Sequence, residues 1–414
     1  MRLYYEFFYF KRNTVNKIVI FGAGSIGRSF IAQLFSKAGY EVVFIEIDPV
    51  ILEALNKYHK YRIEVKDIHS ETIWVENVSG INSKDSEKVR DEVSTADVVA
   101  TAVGSKTLSD IYEDIAYGIL LRRKTNPENP LNIIICENLR NAKEEFNRGL
   151  RKYLPWDFPE DEMPGLVETS IGKMVPIMRE GDRMSEPLLV YAEAFNTLIL
   201  DKRGFKDKIP DVSGLDLKEN MKAYVDRKLF IHNLGHAAVA YLGYIYNPEL
   251  KYIWEAVNIP EIEQTARSAM WESGLSLIEE YPQEFNEANQ KEHIDDLLIR
   301  FKNRNLNDTI YRVGRDIQRK LSPEDRLVGA VRLDIKHSIN YDNTAKAIAS
   351  SVLFRAKDEK GKLFYKDEIF VNNIYTKGIE RVLTEVCKLN KVSDSEIIRK
   401  ISFFHKRILE SGIF

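Results

Sequence analysis

Lys17-Ile18-Val19-Ile20-Phe21-Gly22-Ala23-Gly24-Ser25-Ile26-Gly27 decides the fold. Its first half is a short β-branched run of the kind that forms a buried strand, and it passes without a linker into a glycine loop. RSFIAQLFSKAGY follows with helical spacing and stops at Gly39, and EVVFIEID after it is a second buried-type strand. Strand, glycine loop, helix, strand, acid is the order of a dinucleotide-binding βαβ unit. Gly22 allows the tight turn, Gly24 lets a pyrophosphate approach the backbone, and Gly27 packs helix against strand. Gly22, Ala23, Gly24, Ser25, Ile26 and Gly27 together are the expected cradle, where a helix N-terminus offers N–H donors and partial positive charge to phosphates. Glu46 lies 19 residues past Gly27, where a carboxylate that accepts from both ribose hydroxyls belongs. Such a group repels a 2′-phosphate, so the expected cofactor is NAD rather than NADP; Asp48 competes for the role.

Outward from this unit, VILEALNKYHK reads as a helix, YRIEV and TIWVENVSGI as strands, the latter a candidate side flap. DVVATAVG, residues 97–104, reads as the fourth parallel strand; Gly104 at its end either lets the cofactor lie close or makes an ordinary strand-to-helix turn. LNIIICEN, residues 131–138, is another buried strand. Ligands of doubly wound sheets bind beyond the carboxyl ends of strands, which points Glu137 and Asn138 at the site. Asn138 supplies either a carboxamide for a developing oxyanion or a cap for the helix of NAKEEFNRGLRKYL. IPDVSGLDL carries the boundary signals, and beyond it the period is almost entirely helical. The expected architecture is a Rossmann-type doubly wound α/β sheet over 16–212 followed by an all-α domain over 213–414. Residues 1–15 are an extension, either a surplus start or an extra strand.

In the second half, YVDRKLFIHNLGHAAVAYLG reads as one uninterrupted helix. On a helical wheel Lys228, His236 and Asn233 sit at about 0°, 80° and 140°, so one strip presents an amine, an imidazole and a carboxamide. Burial on such a helix lowers a lysine from ~10.4 toward ~7–8, where it can take a proton from an alcohol. Amides beside it can steady the oxygen on which charge develops. The competing reading of a lysine or histidine on an amphipathic helix is a snorkelling or satisfied core residue. Further on, Arg312, Arg315, Arg319, Lys320 and Arg326 are dense for a solvated face; they either hold a substrate phosphate or brace the domain junction, and bracing is the expectation.

With 414 residues the chain can build two cores, and a net charge of −3 gives no reason to expect nucleic acid or an anionic membrane as partner. Its two cysteines, Cys136 and Cys387, are far apart, which suggests neither a disulfide framework nor a zinc ribbon and fits a reducing cytoplasm. MRLYYEFFYFKRN is too short and too interrupted by charge to span a bilayer and has no small-residue cleavage site. No HExxH or metal-spaced cysteine and histidine cluster occurs.

Together these pieces resemble the polyol-specific long-chain dehydrogenases, and among them the bacterial mannitol-1-phosphate 5-dehydrogenases. The likeness is carried by FGAGSIGRSFI, by the TAVG strand end, by PLNIIICEN, by FKDKIPDVSGLDLKENMKAYVDRKLFIHNLGHAAVAYLG and by RVGRDIQRKLSPEDRL. The K-x4-N-x2-H arrangement is its specific part. The resemblance implies a site in the cleft between the two domains and metal-independent chemistry. It also implies Lys228 as general acid/base, Asn233 and Asn138 as oxyanion amides, and His236 as the residue orienting substrate and lysine. The implied activity is NAD-dependent interconversion of D-mannitol 1-phosphate and D-fructose 6-phosphate, by a cytoplasmic monomer. The alternative substrate is an unphosphorylated hexitol or a hexuronate, because Gly172-Lys173 stands where the family tends to carry an Asp-Arg pair. The RVGRD…RKL segment also occurs in relatives acting on unphosphorylated substrates, so it does not certify a phosphate site.

Overall fold

The computed structural model describes residues 15–67, 70–176, 178, 180–206, 208–412 and 414. The extension over residues 1–15, expected as a surplus start or an extra strand, falls outside them except for Val15. The strands are β1 Lys17–Phe21, β2 Glu41–Glu46, β3 Lys60–Val65, β4 Glu71–Glu76, β5 Val78–Asn82, β6 Val98–Thr101, β7 Asn132–Ile135, β8 Gly165–Ser170, β9 Val190–Ala192, β10 Leu198–Asp201 and β11 Leu215–Lys218. Eight of them form one sheet in the order β5-β2-β1-β6-β7-β8-β10-β11. From β5 to β8 every neighbour is parallel, while β10 runs against β8 and β11 runs with β10. Chain order reverses direction between β1 and β6, which opens a crevice at their carboxyl ends.

Side-chain alternation sends each strand into two cores. Ile18, Ile20, Val42 and Phe44 pack with Phe30, Leu34, Phe35 and Leu55 on one face. Val19, Phe21, Val43 and Ile45 pack with Val93, Ile115, Ile119 and Phe146 on the other. Helices therefore cover both faces, which is why β1 and β2 read as continuous apolar runs. Phe30 and Phe35 are fully buried, and each contributes roughly 2 kcal/mol of transfer free energy.

The run expected as a single flap strand is split. Asn77 takes a left-handed conformation at φ 58; the residues before it, β4, join β3 and β9 in a separate three-stranded sheet, and those after it, β5, pair in parallel with β2. A backbone reversal at one asparagine decides this, and a hydrophobic run does not reveal it. At the other edge, β11 lies beyond residue 212 and still pairs with β10, so the sheet continues past the expected boundary. From Met221 onward the described chain is helical around one large apolar core, with a single isolated bridge between Tyr252 and Thr309. No helix among the described residues is long and apolar enough to cross a membrane.

Candidate active site

The glycine loop sits at the β1–β6 crevice. Gly22 has φ +97, and a Cβ on it would lie 2.6 Å from the Ala102 carbonyl oxygen. A Cβ on Gly27 would meet the Gly22 oxygen at 2.1 Å, whereas Gly24 has nothing within 4 Å. Turn, close packing and open approach thus fall on the three glycines as their spacing predicts, and Ser25 is exposed at the start of the helix. Gly27–Ile31 forms a π-helical turn, which the sequence does not announce. Gly104 has φ +87 and a free flank, with only Thr107 Oγ1 at 4.0 Å; its carbonyl accepts from the Thr107 amide at 3.0 Å, so it serves the strand-to-helix turn.

Beside the loop lies a cavity of about 430 Å³ lined by Gly22, Gly24, Glu46, Ser83, Val103 and Asp110 among others. Glu46 accepts from the Ala23 amide at 2.8 Å and from the Ile47 amide at 2.7 Å, tying the loop to the end of β2. Asp48, its rival, is occupied as the N-cap of helix Pro49–Tyr58, accepting from the Val50 amide at 2.9 Å. Among the described residues, the charged side chains lining the cavity are carboxylates, with no lysine or arginine, a wall that suits ribose hydroxyls and repels a 2′-phosphate. These residues fit an NAD molecule.

The second site lies between the sheet and the helical half. Helices Met221–Arg227 and Leu234–Tyr246 are joined without a break by a π-helical turn over Lys228–Asn233. The single regular helix expected there is corrected by this turn, a feature frequent at functional sites. One extra residue in the turn takes back about 100° of rotation, so Asn233 moves from about 140° to about 40° from Lys228. Both line a cavity of about 280 Å³ with Glu137, Asn138, Arg140, Arg319, Ser322 and Arg326.

Across this cavity Lys228 Nζ donates to Asn138 Oδ1 at 2.8 Å. Burial first, and the Arg326 charge second, push the lysine down to about 8. With its oxygen on the lysine, Asn138 keeps its NH2 for an oxygen in the cavity. The helix Ala142–Arg151 starts instead from Asn141, so Asn138 is not its cap. Glu137 reaches back to the Val103 amide at 2.9 Å, holding the end of β7 against the turn after β6. Burial raises its pKa, and the amides of Val103 and Gly104 pull against that.

His236 does not line this cavity. It pairs with Asp308 at 3.0 Å and stacks on Phe301 with centroids 4.6 Å apart. Eight residues of helix carry it roughly 12 Å along the axis from Lys228. Burial alone would raise Asp308, but His236 and Arg312 outweigh it and hold the carboxyl below its ordinary value.

Sequence reading missed a second bridge. Arg140 donates to the buried Asp226 at 2.7 Å and to the Glu324 carbonyl at 3.1 Å. Asp226 also accepts from Tyr281 Oη at 2.6 Å and from Lys222 Nζ at 2.8 Å. Arg140 is two residues after Asn138 and Asp226 two before Lys228, so two bridges span the cleft side by side. An arginine two places past the carboxamide was the available signal.

Gly172 and Lys173 lie outside the Lys228 cavity. The Gly172 carbonyl accepts from Arg300 at 2.5 Å, and Arg300 forks onto Glu193 at 2.6 and 2.8 Å. Lys173 donates to Asn196 Oδ1 at 3.0 Å, and burial pushes its amine down to about 8. Of the dense cations, Arg312 pairs with Asp308 and buried Lys320 donates to the Val313 and Arg315 carbonyls, all on the helical side. Arg315 lies over Phe364. Arg319 and Arg326 alone of the five reach the cavity at the junction. Among the described residues no group of three histidine, cysteine or acidic side chains gathers as a metal site.

Two family models cover nearly the whole described chain: a mannitol dehydrogenase Rossmann domain over residues 16–214 and a mannitol dehydrogenase C-terminal domain over residues 220–402. Mannitol-1-phosphate 5-dehydrogenase of Buchnera aphidicola subsp. Schizaphis graminum is 34% identical over 391 residues, spanning 94% of this chain and 98% of its own. Among solved structures, Pseudomonas fluorescens mannitol 2-dehydrogenase, in ternary complex with NAD and D-mannitol, aligns at TM-score 0.72 and 15% identity over 97% of this chain and 93% of its own. A substrate-free D-sorbitol dehydrogenase aligns at TM-score 0.77 and 16% identity over 97% of each chain. At those identities the two structures speak for the fold alone, a Rossmann-type sheet followed by a helical domain. The chain is a dehydrogenase that belongs to the mannitol dehydrogenase family.

Proposed function

We propose that this chain is an NAD-dependent dehydrogenase interconverting D-mannitol 1-phosphate and D-fructose 6-phosphate, with Lys228 carrying the proton. The observation that carries the reading is the half-buried amine of Lys228, bonded across the cleft to Asn138 and lowered to about 8. The relative from Buchnera supports the substrate pair. Gly22, Ala23, Gly24, Ser25, Ile26, Gly27 and Glu46 hold the cofactor. When bound, NAD supplies the hydride acceptor for polyol oxidation and, reduced, the hydride donor for the return.

In oxidation the neutral amine of Lys228 takes the hydroxyl proton as the hydride leaves the same carbon, and the C–O bond becomes a carbonyl. In reduction the protonated amine returns that proton to the oxygen. A pKa of about 8 leaves about a tenth of the lysine neutral at pH 7, so both forms are available. The Asn233 and Asn138 amides donate to the oxygen while its charge is greatest. His236, held by Asp308, steadies the helix turn that carries Asn233 and Lys228. Two buried thiols outside any disulfide, Cys136 and Cys387, support a reducing cytoplasm as the compartment, and a monomer is the proposed state.

The test is a side-by-side NADH-oxidation assay with fructose 6-phosphate, fructose and fructuronate. The expected result is a kcat/KM for fructose 6-phosphate at least tenfold above the other two. Fructose or fructuronate winning would move the substrate to the unphosphorylated hexitols or hexuronates, the direction in which the Gly172-Lys173 departure points.

A further inference from the structure

The loop after helix Ile317–Lys320 leads to helix Val328–Lys336, and Ser322, Asp325 and Arg326 on it line the same cavity as Lys228. The cations around this cavity are not equally satisfied. Arg140 is matched by Asp226. Arg319 is shared by two acids, Asp316 at 2.6 Å and Asp325 at 3.1 Å. Arg326 has only part of one: its Nε donates to Asp325 Oδ1 at 2.8 Å, the carboxylate that also serves Arg319. Its side chain is only 12% exposed, yet its terminal nitrogens are not among the sealed, unpartnered atoms. They open into the cavity without a protein acceptor among the described residues.

A guanidinium so far withdrawn from water and so incompletely paired is costly on its own. Asp325 fixes the Nε edge and leaves the outer fork, whose two parallel N–H groups match the oxygens of a phosphate. In fructose 6-phosphate the carbonyl is at C2 and the phosphate at C6, so a cavity taking this molecule needs a proton carrier and a separate anion grip. We propose that Arg326, with Arg319 and the Ser322 hydroxyl beside it, is that grip: a subsite for the phosphate monoester of the substrate. The inference rests on the function proposed above and assigns the residues that make it selective.

The experiment uses the full chain and compares wild type with Arg326→Gln, Arg326→Lys and Arg319→Gln. Rates are read with fructose 6-phosphate and with fructose, alongside competitive inhibition by inorganic phosphate and the NADH dissociation constant. Losing charge-assisted hydrogen bonds in Arg326→Gln should cut the selectivity ratio for fructose 6-phosphate over fructose by about tenfold or more. Inhibition by inorganic phosphate should weaken in parallel. Arg326→Lys should recover part of both, since a point charge replaces the fork. Should Arg326→Gln fail to fold, Arg319→Gln carries the test with a smaller loss in the same two readouts. Unchanged selectivity and unchanged phosphate inhibition in folded variants that bind NADH normally would overturn the assignment. A wild type that prefers fructuronate would also overturn it, because the cation would then hold a carboxylate. A wild type with no turnover on any of the three sugars fails the parent function instead.

Discussion

The cofactor crevice and the lysine cavity are built in opposite ways. The heart of the crevice is local: its loop glycines and Glu46 lie between residues 22 and 46, with Ser83, Val103 and Asp110 completing the wall, and its geometry rests on backbone constraints, a φ of +97 at Gly22 and a carbonyl 2.1 Å from where a Gly27 Cβ would stand. The cavity is assembled from four distant stretches, Glu137–Arg140, Thr169–Ser170, Val225–Asn233 and Arg319–Arg326, and rests on side chains reaching across a domain junction. One site can therefore fail while the other stays intact. The largest separation should come from Lys228→Ala, which is expected to lower turnover by roughly 10² to 10⁴-fold with the NADH dissociation constant within twofold of wild type. The same contrast predicts a pH signature. The folded pKa of Lys228 is depressed, so its basic form appears as pH rises through about 8. Polyol oxidation should rise through that inflection and ketone reduction should fall through it. A variant with near-normal turnover, or a flat profile between pH 7 and 9, removes the lysine mechanism.

The same difference explains what could be read from the residues. The βαβ unit is legible because its pattern is short-range: a buried strand, a spaced set of loop glycines, an acid at the next strand end; only the Ala102 carbonyl that closes on Gly22 comes from far along the chain. Lys228 and Asn233 are legible because they share a helix, although the π-helical turn that brings them together leaves no trace in the apolar period. What the spacing could not give was the junction. Whether Asn138 capped a helix or faced the lysine depended on where Lys228 arrives in space, and the resemblance alone favoured the latter. The splitting of the expected flap strand at Asn77 and the extension of the sheet to Lys218 likewise turn on a single backbone conformation and a long-range pairing. Arg140 and Asp226 stand far apart in the chain, and only the fold puts them 2.7 Å apart.

That bridge offers the next way to sharpen the comparison. Lys228 and Asn138 meet by one hydrogen bond, while Arg140 and Asp226, two residues from each, clamp the same two segments. Removing the clamp leaves Lys228, Asn138 and Asn233 in place, takes one cation from the cavity lining and loosens the spacing of the two segments. Misplacement of this kind costs up to about a hundredfold, so Arg140→Ala should lower kcat by about tenfold to a hundredfold. Arg140→Lys should restore part of it, and NADH affinity should hold. A thermal melt separates this from general destabilisation, because Asp226 keeps Tyr281 and Lys222 as partners. Equal losses of kcat and NADH affinity would mean that the two sites are not independent.

The smallest expected effect probes the crevice alone. Glu46 accepts from three amides, those of Ala23, Ile47 and Asp48, so part of its work is to hold the loop. Replacing it with serine should weaken both nicotinamide cofactors somewhat, and the absolute rate is therefore a poor readout. The ratio is the better one. Removing the carboxylate removes repulsion of a 2′-phosphate, but among the described residues no arginine or lysine lines the cavity to attract one. The preference for NADH over NADPH should fall by about tenfold without reversing, the scale of one lost charge interaction at a partly exposed site. A reversal would mean a cation outside the cavity lining reaches the 2′-position, whereas an unchanged ratio would move discrimination to Asp110 or Asp114, the other acids in the same wall.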